Sequence, residues 1–294
     1  MPLGTRVLTI TLAMPQGNVV LDESLDLKVK ITKAALAQQQ QCEVVVTNLS
    51  VSLRASLITQ FSAWNKRNIE NGQPNATQQS YIGVTVQAGY SNPGQQSNVI
   101  TVFVGQVALA GPIGELPNMA VKITAYSQQI NKVQYITQIP PGQMTFKAYA
   151  AFIAAQMGVN LACQTSYDDQ VITNPGASVH TVGDLLVDLQ SYYRPNVAAY
   201  VDNNTLYVKD VNAVIASAGQ VTLDEFINMP LWDEWGCEFE VLFNSQLLLS
   251  CAATLVSTMN PSLNNVGYVI YALEYNLTSR DTPFDIKANG APPA

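Results

Sequence analysis

The sequence predicts an α+β fold that is rich in β-strands, and three observations support this. Several stretches alternate apolar and polar residues with a period of two, which is typical of strands with one buried face. At three places the period changes to that of a helix, behind a residue suited to N-capping. Of the 294 residues, 48% are hydrophobic and only 12% are charged, which is enough apolar surface for two or three folded domains.

The composition argues against several classes of function. A net charge of −7 with only 14 Lys and Arg residues disfavours a basic nucleic-acid-binding surface, since phosphate binding relies on clustered positive charge. The apolar run over residues 7–14 is too short to span a membrane, so we expect neither an anchor nor an export signal. The four cysteines lie far apart, which favours buried free thiols over a zinc site or a disulfide framework.

The first predicted elements are two strands and a helix. Residues 26–33 alternate strictly, so their apolar side chains are expected to form a buried row while the lysines face water. Residues 38–41, all glutamine, predict a loop before a strand over 42–47. A helix follows, with Ser50 or Ser52 as its N-cap. Its apolar stripe is Leu53, Leu57, Phe61 and Trp64.

A hairpin over residues 81–107 is the clearest prediction, and the polar residues 67–80 are expected to form the loop before it. The breaker-rich residues 91–94 separate its two strands, and a further alternating strand over 119–126 completes a first domain of residues 1–126. The first strand has an apolar face and a small polar face: Ile82, Val84, Val86 and Ala88 against Gly83, Thr85 and Gln87.

Residues 127–212 predict a small α+β insert. Thr145 is placed to cap a helix over 146–157 that ends at Gly158, with Tyr149, Phe152, Ile153 and Gln156 on one side. A second helix begins at Thr181, in a capping box that Asp184 completes. Its apolar face is Leu185, Leu186, Leu189 and Tyr193, and Pro195 stops it. Strands over 197–201 and 206–209, around a turn at 202–204, predict a hairpin.

Residues 213–294 predict a second β-rich domain. Strand composition recurs over residues 238–243, 246–255 and 268–275, between turns that contain Asn, Ser or Pro. The final residues, 287–294, are expected to be a loose end. The chain therefore reads as a β-rich domain, a small α+β insert and a second β-rich domain.

No constellation of residues indicates catalysis. The single histidine, His180, has no evident triad partners, which favours a structural or solvent-exposed role. The acidic pairs at 168–169, 224–225 and 233–234 are more simply solvated faces or helix starts than facing glycosidase carboxylates. Phosphate, dinucleotide and hydrolase motifs do not occur. We therefore name no catalytic, cofactor-binding or metal-binding residue, and we expect no cofactor.

Short segments across most of the chain carry a resemblance. They are VTVQAGY at 84–90, VFVG at 102–105, the helices that begin near Thr145 and Leu185, MPL at 229–231 through residue 255, YVIYALEYN at 268–276 and RDT at 280–282. In this order they resemble the baseplate hub proteins of contractile-tailed bacteriophages, which are related to the hub part of type VI secretion spike proteins.

The resemblance implies a structural protein without enzymatic activity. Each subunit of a homotrimer would contribute two tube-forming, antiparallel β-barrel-like domains, over 1–126 and 213–294. The resulting pseudo-sixfold ring would join the sixfold tail tube to the threefold central spike and leave a channel. The implied partners are a second and third copy of the chain, the central spike protein, the tail tube or a tube-initiator protein, the tape measure protein and the baseplate wedge proteins.

The resemblance also implies where the protein acts. It would be assembled in the host bacterial cytoplasm into the virion tail baseplate, with DNA passing through without specific binding and with no membrane contact. The hairpin would pack one face on the helix over residues 53–64. Its other face, with Gly83, Thr85 and Gln87, would line or approach the channel.

Two other functions stay open at this point. A cell-wall hydrolase of the tail tip would use an acid such as Asp233 or Glu234 and would turn over peptidoglycan. A receptor- or carbohydrate-binding β protein would use Trp232 or Trp235 to stack on a sugar, although an aromatic pair beside a turn is more often a core or interface anchor.

Overall fold

The computed structural model describes residues 4–36, 39–74, 76–77, 81–91, 97–114, 119–215 and 218–293. The α+β, β-rich fold class is confirmed. The strands are β1 (Thr5–Met14), β2 (Gly17–Leu21), β3 (Leu27–Ala34), β4 (Gln41–Thr47), β5 (Gly83–Ser91), β6 (Ile100–Ile113), β7 (Ala120–Tyr126), β8 (Gln143–Thr145), β9 (Asn160–Gln164), β10 (Val171–Thr173), β11 (Val197–Asp202), β12 (Thr205–Asp210), β13 (Gln220–Leu223), β14 (Leu231–Trp232), β15 (Cys237–Leu242), β16 (Ala252–Leu255), β17 (Gly267–Thr278) and β18 (Phe284–Ala291). The helices are α1 (Val51–Phe61), α2 (Ala63–Glu70), α3 (Phe146–Met157) and α4 (Val182–Ser191).

The described residues form two compact units. Unit 1 takes them from Met1–Ile31, Gln41–Gln129 and Tyr275–Asp285, and unit 2 from Thr32–Gln40, Ile130–Glu274 and Ile286–Ala294. Nearly all of the predicted insert, 127–212, falls in unit 2. The division of the chain into three domains at residues 126 and 212 stays a prediction.

Unit 1 is built on a largely antiparallel sheet with the strand order β3-β4-β7-β6-β5-β1-β2. The predicted hairpin is confirmed, since β5 and β6 pair antiparallel with Val86 opposite Phe103. Its turn at residues 92–94 lies outside the described part of the chain. The second strand is longer than predicted because β7 pairs with residues as far along β6 as Ile113. In the part of the chain that the structure describes, these pairings leave β2 at an open edge.

The single helix predicted over residues 50–64 is two helices. Ser50 caps α1 by accepting from Leu53 N, and the helix packs against β6 with Leu57 and Phe61 buried. The chain then becomes extended at Ser62, which caps α2. Trp64 is consequently 66% exposed, and its prediction as part of the buried stripe was wrong. Because α2 continues to Glu70, the predicted loop also starts later than residue 67.

Two expectations for the early strands were wrong. Lys33 is 3% exposed, not solvated, and its Nζ donates to Asp202 Oδ1 at 2.5 Å. The other lysines of β3, Lys28 and Lys30, are exposed as predicted. Gln40 lies in the predicted loop but is buried there: its side-chain amide accepts from Ala34 N at 2.9 Å and donates to Ala34 O at 3.2 Å. Gln41 already belongs to β4, and Gln38 lies outside the described residues.

Unit 2 contains a core in which α3 and α4 pack on the three-stranded sheet β11-β12-β9. The predicted α3 is confirmed at both ends, with Thr145 as N-cap and Gly158 in the left-handed conformation at the C-cap. In contrast with the predicted face, Phe152 and Gln156 are only partly buried. The predicted hairpin of β11 and β12 is also confirmed.

The capping box of α4 supports a stability prediction. Thr181 Oγ1 accepts from Asp184 N at 3.2 Å, and Asp184 Oδ2 accepts from Thr181 N at 3.1 Å. Thr181→Ala removes one of these bonds, so we expect a loss of about 1 kcal/mol and a melting temperature lower by about 2–4 °C. Differential scanning calorimetry measures the melting temperature. The exposed Ser178→Ala is a control, and equal melting of the two variants would contradict the prediction.

The end of the chain differs from the prediction in two places. β15 and β17 are confirmed, but of the strand predicted over 246–255 only β16 is formed. Leu247 and Leu249 are buried in a turning segment instead, where Ser250 has a φ of 65°. The tail predicted to be loose from residue 287 forms most of β18. This strand is recognisable only with its neighbour β17, because its short alternation runs into Gly and Pro.

Candidate functional surfaces

On the outer face of the unit 1 sheet, neighbouring segments of β1, β5 and β6 carry no charge, although Lys122 of β7 and Glu43 of β4 form an ion pair in the same sheet. In β5, Ile82, Val84, Val86 and Ala88 are buried, whereas Gly83, Thr85 and Gln87 are partly or largely exposed. The strand register places Thr9, Thr11 and Ala13 of β1 on one side of these three residues, and Val104 and Gln106 of β6 on the other. We call these eight residues the neutral face.

Contacts with neighbouring residues hold the side chains of the neutral face in place, but these side chains offer few groups that could bind a ligand. Thr11 lies directly opposite Thr85, a cross-strand pair of the kind that stabilises a sheet. Gln106 Oε1 accepts from Gln129 N at 2.7 Å, so its amide is held in place. With hydroxyl, amide and small apolar groups only, the face has no fixed charge with which to retain an anion or a cation.

The predicted acids take structural roles. Asp168 forms an ion pair with Lys147, Nζ to Oδ2 at 2.9 Å, and accepts from Cys163 Sγ at 3.2 Å. Burial alone raises the pKa of Asp168, but the bonds from Lys147 and Cys163 hold it below its ordinary value. Asp224 and Glu225 are exposed.

Asp233 organises a tight turn. Its Oδ1 accepts from Trp235 N at 2.8 Å and Gly236 N at 2.6 Å, and its Oδ2 accepts from Tyr271 OH and Asn289 Nδ2. Burial acts to raise the pKa of Asp233, yet these four donors hold it below its ordinary value. A general acid of a glycosidase needs a raised pKa, so this carboxylate is unsuited to act as a general acid.

The two tryptophans beside this turn differ in their surroundings. Trp232 Nε1 donates to Ser262 Oγ at 3.0 Å, and its ring meets Tyr268 edge-on with centroids 6.4 Å apart. Trp235 is 69% exposed at the tip of the turn. Trp232 therefore anchors the segment while Trp235 projects from it.

A second candidate surface, which the sequence pattern did not predict, lies on α2. Trp64 and Arg67 flank a cleft of about 410 Å³ that Asn68, Asn71 and Gln73 also line. On the buried side of α2, Asn65 is 1% exposed and bonds to Gln60 O, Thr77 O and Thr77 N at 2.7–2.9 Å. The available sequence signal was Ser62, an N-cap residue in the middle of the supposed helical stripe.

Neither the histidine nor the cysteines contribute to a metal-binding cluster in the part of the chain that the structure describes. His180 is exposed, and its backbone oxygen accepts from Ile136 N. The cysteines are free thiols, of which Cys42, Cys237 and Cys251 are buried and Cys163 is partly exposed. Across the described ranges, no group of three His, Cys, Asp or Glu side chains is arranged to hold a metal ion. In the same ranges, no helix is both long and apolar enough to cross a membrane.

The fold is that of bacteriophage tail proteins. It is similar to the 43 kDa tail protein of prophage MuSo2 from Shewanella oneidensis, with a TM-score of 0.60 and 12% identity over 97% of this chain and 98% of that chain. It is also similar to a tail protein from Neisseria meningitidis MC58, with a TM-score of 0.58 and 9% identity over 96% of each chain. At these identities the likeness defines the fold class alone.

The family is given by a match to the sequence itself. A family model described as Baseplate hub gp41 matches residues 7–290, so the chain belongs to the baseplate hub gp41 family. The resemblance drawn from the sequence is thereby confirmed. The protein is a structural component of the phage tail baseplate and not an enzyme. No curated protein sequence matches the chain.

Proposed function

We propose that the protein is a homotrimeric hub that joins the sixfold tail tube to the threefold central spike. The observation that carries this proposal is the division of one hub-family chain into two compact units. Three copies then supply six units around one axis, which can face a sixfold tube on one side and a threefold spike on the other. Such a hub works by assembly, through buried interfaces and paired sheet edges.

The open edge of unit 1 suits this assembly. Among the described residues, β2 pairs only with β1, and Val20 within it is 57% exposed. An unpaired strand edge is a template for pairing with another chain. In the proposed ring, this edge is covered by a neighbouring subunit or by a baseplate wedge protein.

The neutral face is proposed to line the central channel. A wall without fixed positive charge does not retain phosphates, and the chain as a whole carries a net charge of −7. The tape measure protein occupies the channel before ejection, and DNA then passes through it without specific binding. The tail tube or a tube-initiator protein stacks on the ring. The whole baseplate is assembled in the host cytoplasm.

The copy number of the chain tests the trimer. In tails purified from infected cells, quantitative mass spectrometry should find equal numbers of this chain and of the trimeric spike protein. A count equal to that of one ring of the sixfold tube protein would contradict the proposal. Normal tail assembly with glycan binding that depends on Trp235 would instead favour the carbohydrate-binding alternative.

A charge placed on the neutral face tests the channel assignment. Thr85→Arg puts one guanidinium per subunit into the proposed lumen, where it would bind passing phosphates. We expect normal particle numbers, with DNA release in vitro slowed about tenfold or more at low salt and recovering at high salt, because phosphate contacts weaken as salt rises.

The uncharged variant Thr85→Gln provides the control for this experiment. It enlarges the side chain at the same position without adding charge, so its DNA release should match that of the wild type. Unchanged release from assembled Thr85→Arg particles would show that this face lies away from the DNA path.

A further inference from the structure

Unit 1 has a basic concave surface around α2, which we call the α2 cleft. Its lining residues, Trp64, Arg67, Asn68, Asn71 and Gln73, enclose about 410 Å³. Over residues 50–74 the charged residues are Arg54, Lys66, Arg67 and Glu70, a positive balance in an acidic protein. Lys66 and Arg67 are exposed and form no ion pair with any residue that the structure describes.

Unit 2 has an acidic surface that projects, which we call the tryptophan turn, residues 232–236. It presents the ring of Trp235, and the segment before it exposes Ile227, Met229 and Leu231 by 45–49%. Residues 224–240 contain no Lys or Arg. Their acidic residues are Asp224, Glu225, Asp233, Glu234, Glu238 and Glu240.

The tryptophan turn is rigid before any partner arrives. The carboxylate of Asp233 holds both Trp235 N and Gly236 N, and Asp233 N donates to Gly236 O at 3.0 Å. Trp232 fixes the base of the turn through Ser262. A preorganised aromatic side chain loses little entropy on binding, which is the property of an interface hot spot.

The α2 cleft is held equally firmly. Asn65 ties the first turn of α2 to Gln60 and Thr77 through its amide, and Ser62 caps the helix. Trp64 and Arg67 are three residues apart, so they lie on neighbouring positions of one helix face. A guanidinium next to an open cleft can bind the face of an aromatic ring that enters.

We propose that the tryptophan turn of one copy of the chain docks into the α2 cleft of a second copy. Trp235 enters the cleft, its ring contacts Arg67 and Trp64, and Glu234 pairs with Arg67. The opposite charges of the two surfaces orient the encounter and disfavour contacts between like surfaces. Because the surfaces differ, the contact is head-to-tail, which can close into a ring. The inference rests on the proposed trimer and gives it an interface.

Crosslinking in assembled tails tests the contact. We would replace Trp235 by the photocrosslinking residue p-benzoylphenylalanine, assemble tails from a mixture of ¹⁴N- and ¹⁵N-labelled chains, and irradiate them. Mass spectrometry should find residue 235 joined to residues 62–73 in mixed-isotope pairs, which identifies two different copies. Tyr135, 75% exposed in unit 2, is the control position and should give no such product. Crosslinks from residue 235 to any other place would overturn the proposal.

A charge exchange provides an independent readout. Glu234→Arg and Arg67→Glu should each lower the yield of infectious particles by about tenfold or more, since charge pairs at an interface cost that much when broken. The double variant carries the exchanged pair on every copy and should recover most of the yield. If the yield of the double variant is instead reduced by the product of the two single losses, the pairing is overturned.

These outcomes separate the interface from the proposed function. Tails that contain three copies of the chain, with crosslinks elsewhere and no charge rescue, would overturn the contact alone. Tails in which the copy number of the chain is not that of the trimeric spike would overturn the proposed trimer.

Discussion

Gly89→Ala is expected to prevent unit 1 from folding stably. Gly89 is buried in β5, and a Cβ built on it would lie 2.5 Å from Asn98 O and 2.6 Å from Val99 Cα. Both atoms belong to the backbone that leads into β6, so the added methyl group cannot be accommodated by rotating a side chain. The two strands must separate, and we expect a loss of about 3 kcal/mol or more.

Another glycine of the same hairpin provides a matched control. Gly111 lies in β6, and a Cβ built on it meets no atom within 4 Å. Gly111→Ala should therefore be neutral or stabilising by up to about 1 kcal/mol, because glycine is unfavourable in a strand interior. Urea denaturation followed by circular dichroism measures both variants. Similar stabilities for the two would show that β5 and β6 are not packed as described.

Lys209→Ala is expected to destabilise unit 2 strongly. Lys209 is 1% exposed, and its Nζ donates to Val211 O at 2.6 Å, Ala213 O at 2.8 Å and Asp210 O at 3.3 Å. The substitution removes a buried aliphatic stem and leaves these carbonyl groups without their donor. We expect a loss of about 3 kcal/mol at pH 7. Lys122→Ala, which breaks a half-exposed ion pair with Glu43, should cost about 1 kcal/mol at most.

The effect of Lys209 depends on pH in a defined direction. Burial lowers the pKa of Lys209 to about 8 in the folded protein, against about 10.4 in the unfolded chain. Between these values the unfolded state binds more protons, so the contribution of Lys209 to stability rises with pH. The stability difference between the wild type and Lys209→Ala should therefore widen from pH 7 to pH 10. Since the other titrating groups are common to both proteins, a constant difference would contradict this account.

Elements with local signals could be predicted from the sequence. The helix α3 was placed to the residue because Thr145 and Gly158 mark its ends within the segment itself. The start of α4 was equally clear from Thr181 and Asp184. The hairpin of β5 and β6 followed from alternation and a cluster of breakers.

Elements that depend on distant partners could not be predicted in the same way. The break after Phe61 is supported by Asn65, whose amide bonds to Thr77, twelve residues away. Lys33 looked solvated because its partner, Asp202, lies 169 residues further along the chain.

Of the candidate surfaces, one could also be predicted from local sequence and the others could not. The neutral face was predictable, since a period-2 pattern assigns Gly83, Thr85 and Gln87 to one side of a strand. The α2 cleft was not, because the stripe predicted Trp64 to be buried. The role of Asp233 was also hidden, since two of its donors, Tyr271 and Asn289, lie in other strands.

An electron cryomicroscopy reconstruction of the tail tip tests the central claim most directly. We predict a ring at the junction of tube and spike in which three copies of this chain present six sheet-based units around an open channel. The neutral face of unit 1 should line that channel. A ring of six copies, a single copy beside the spike, or density for this chain at the periphery of the baseplate would contradict the proposed hub.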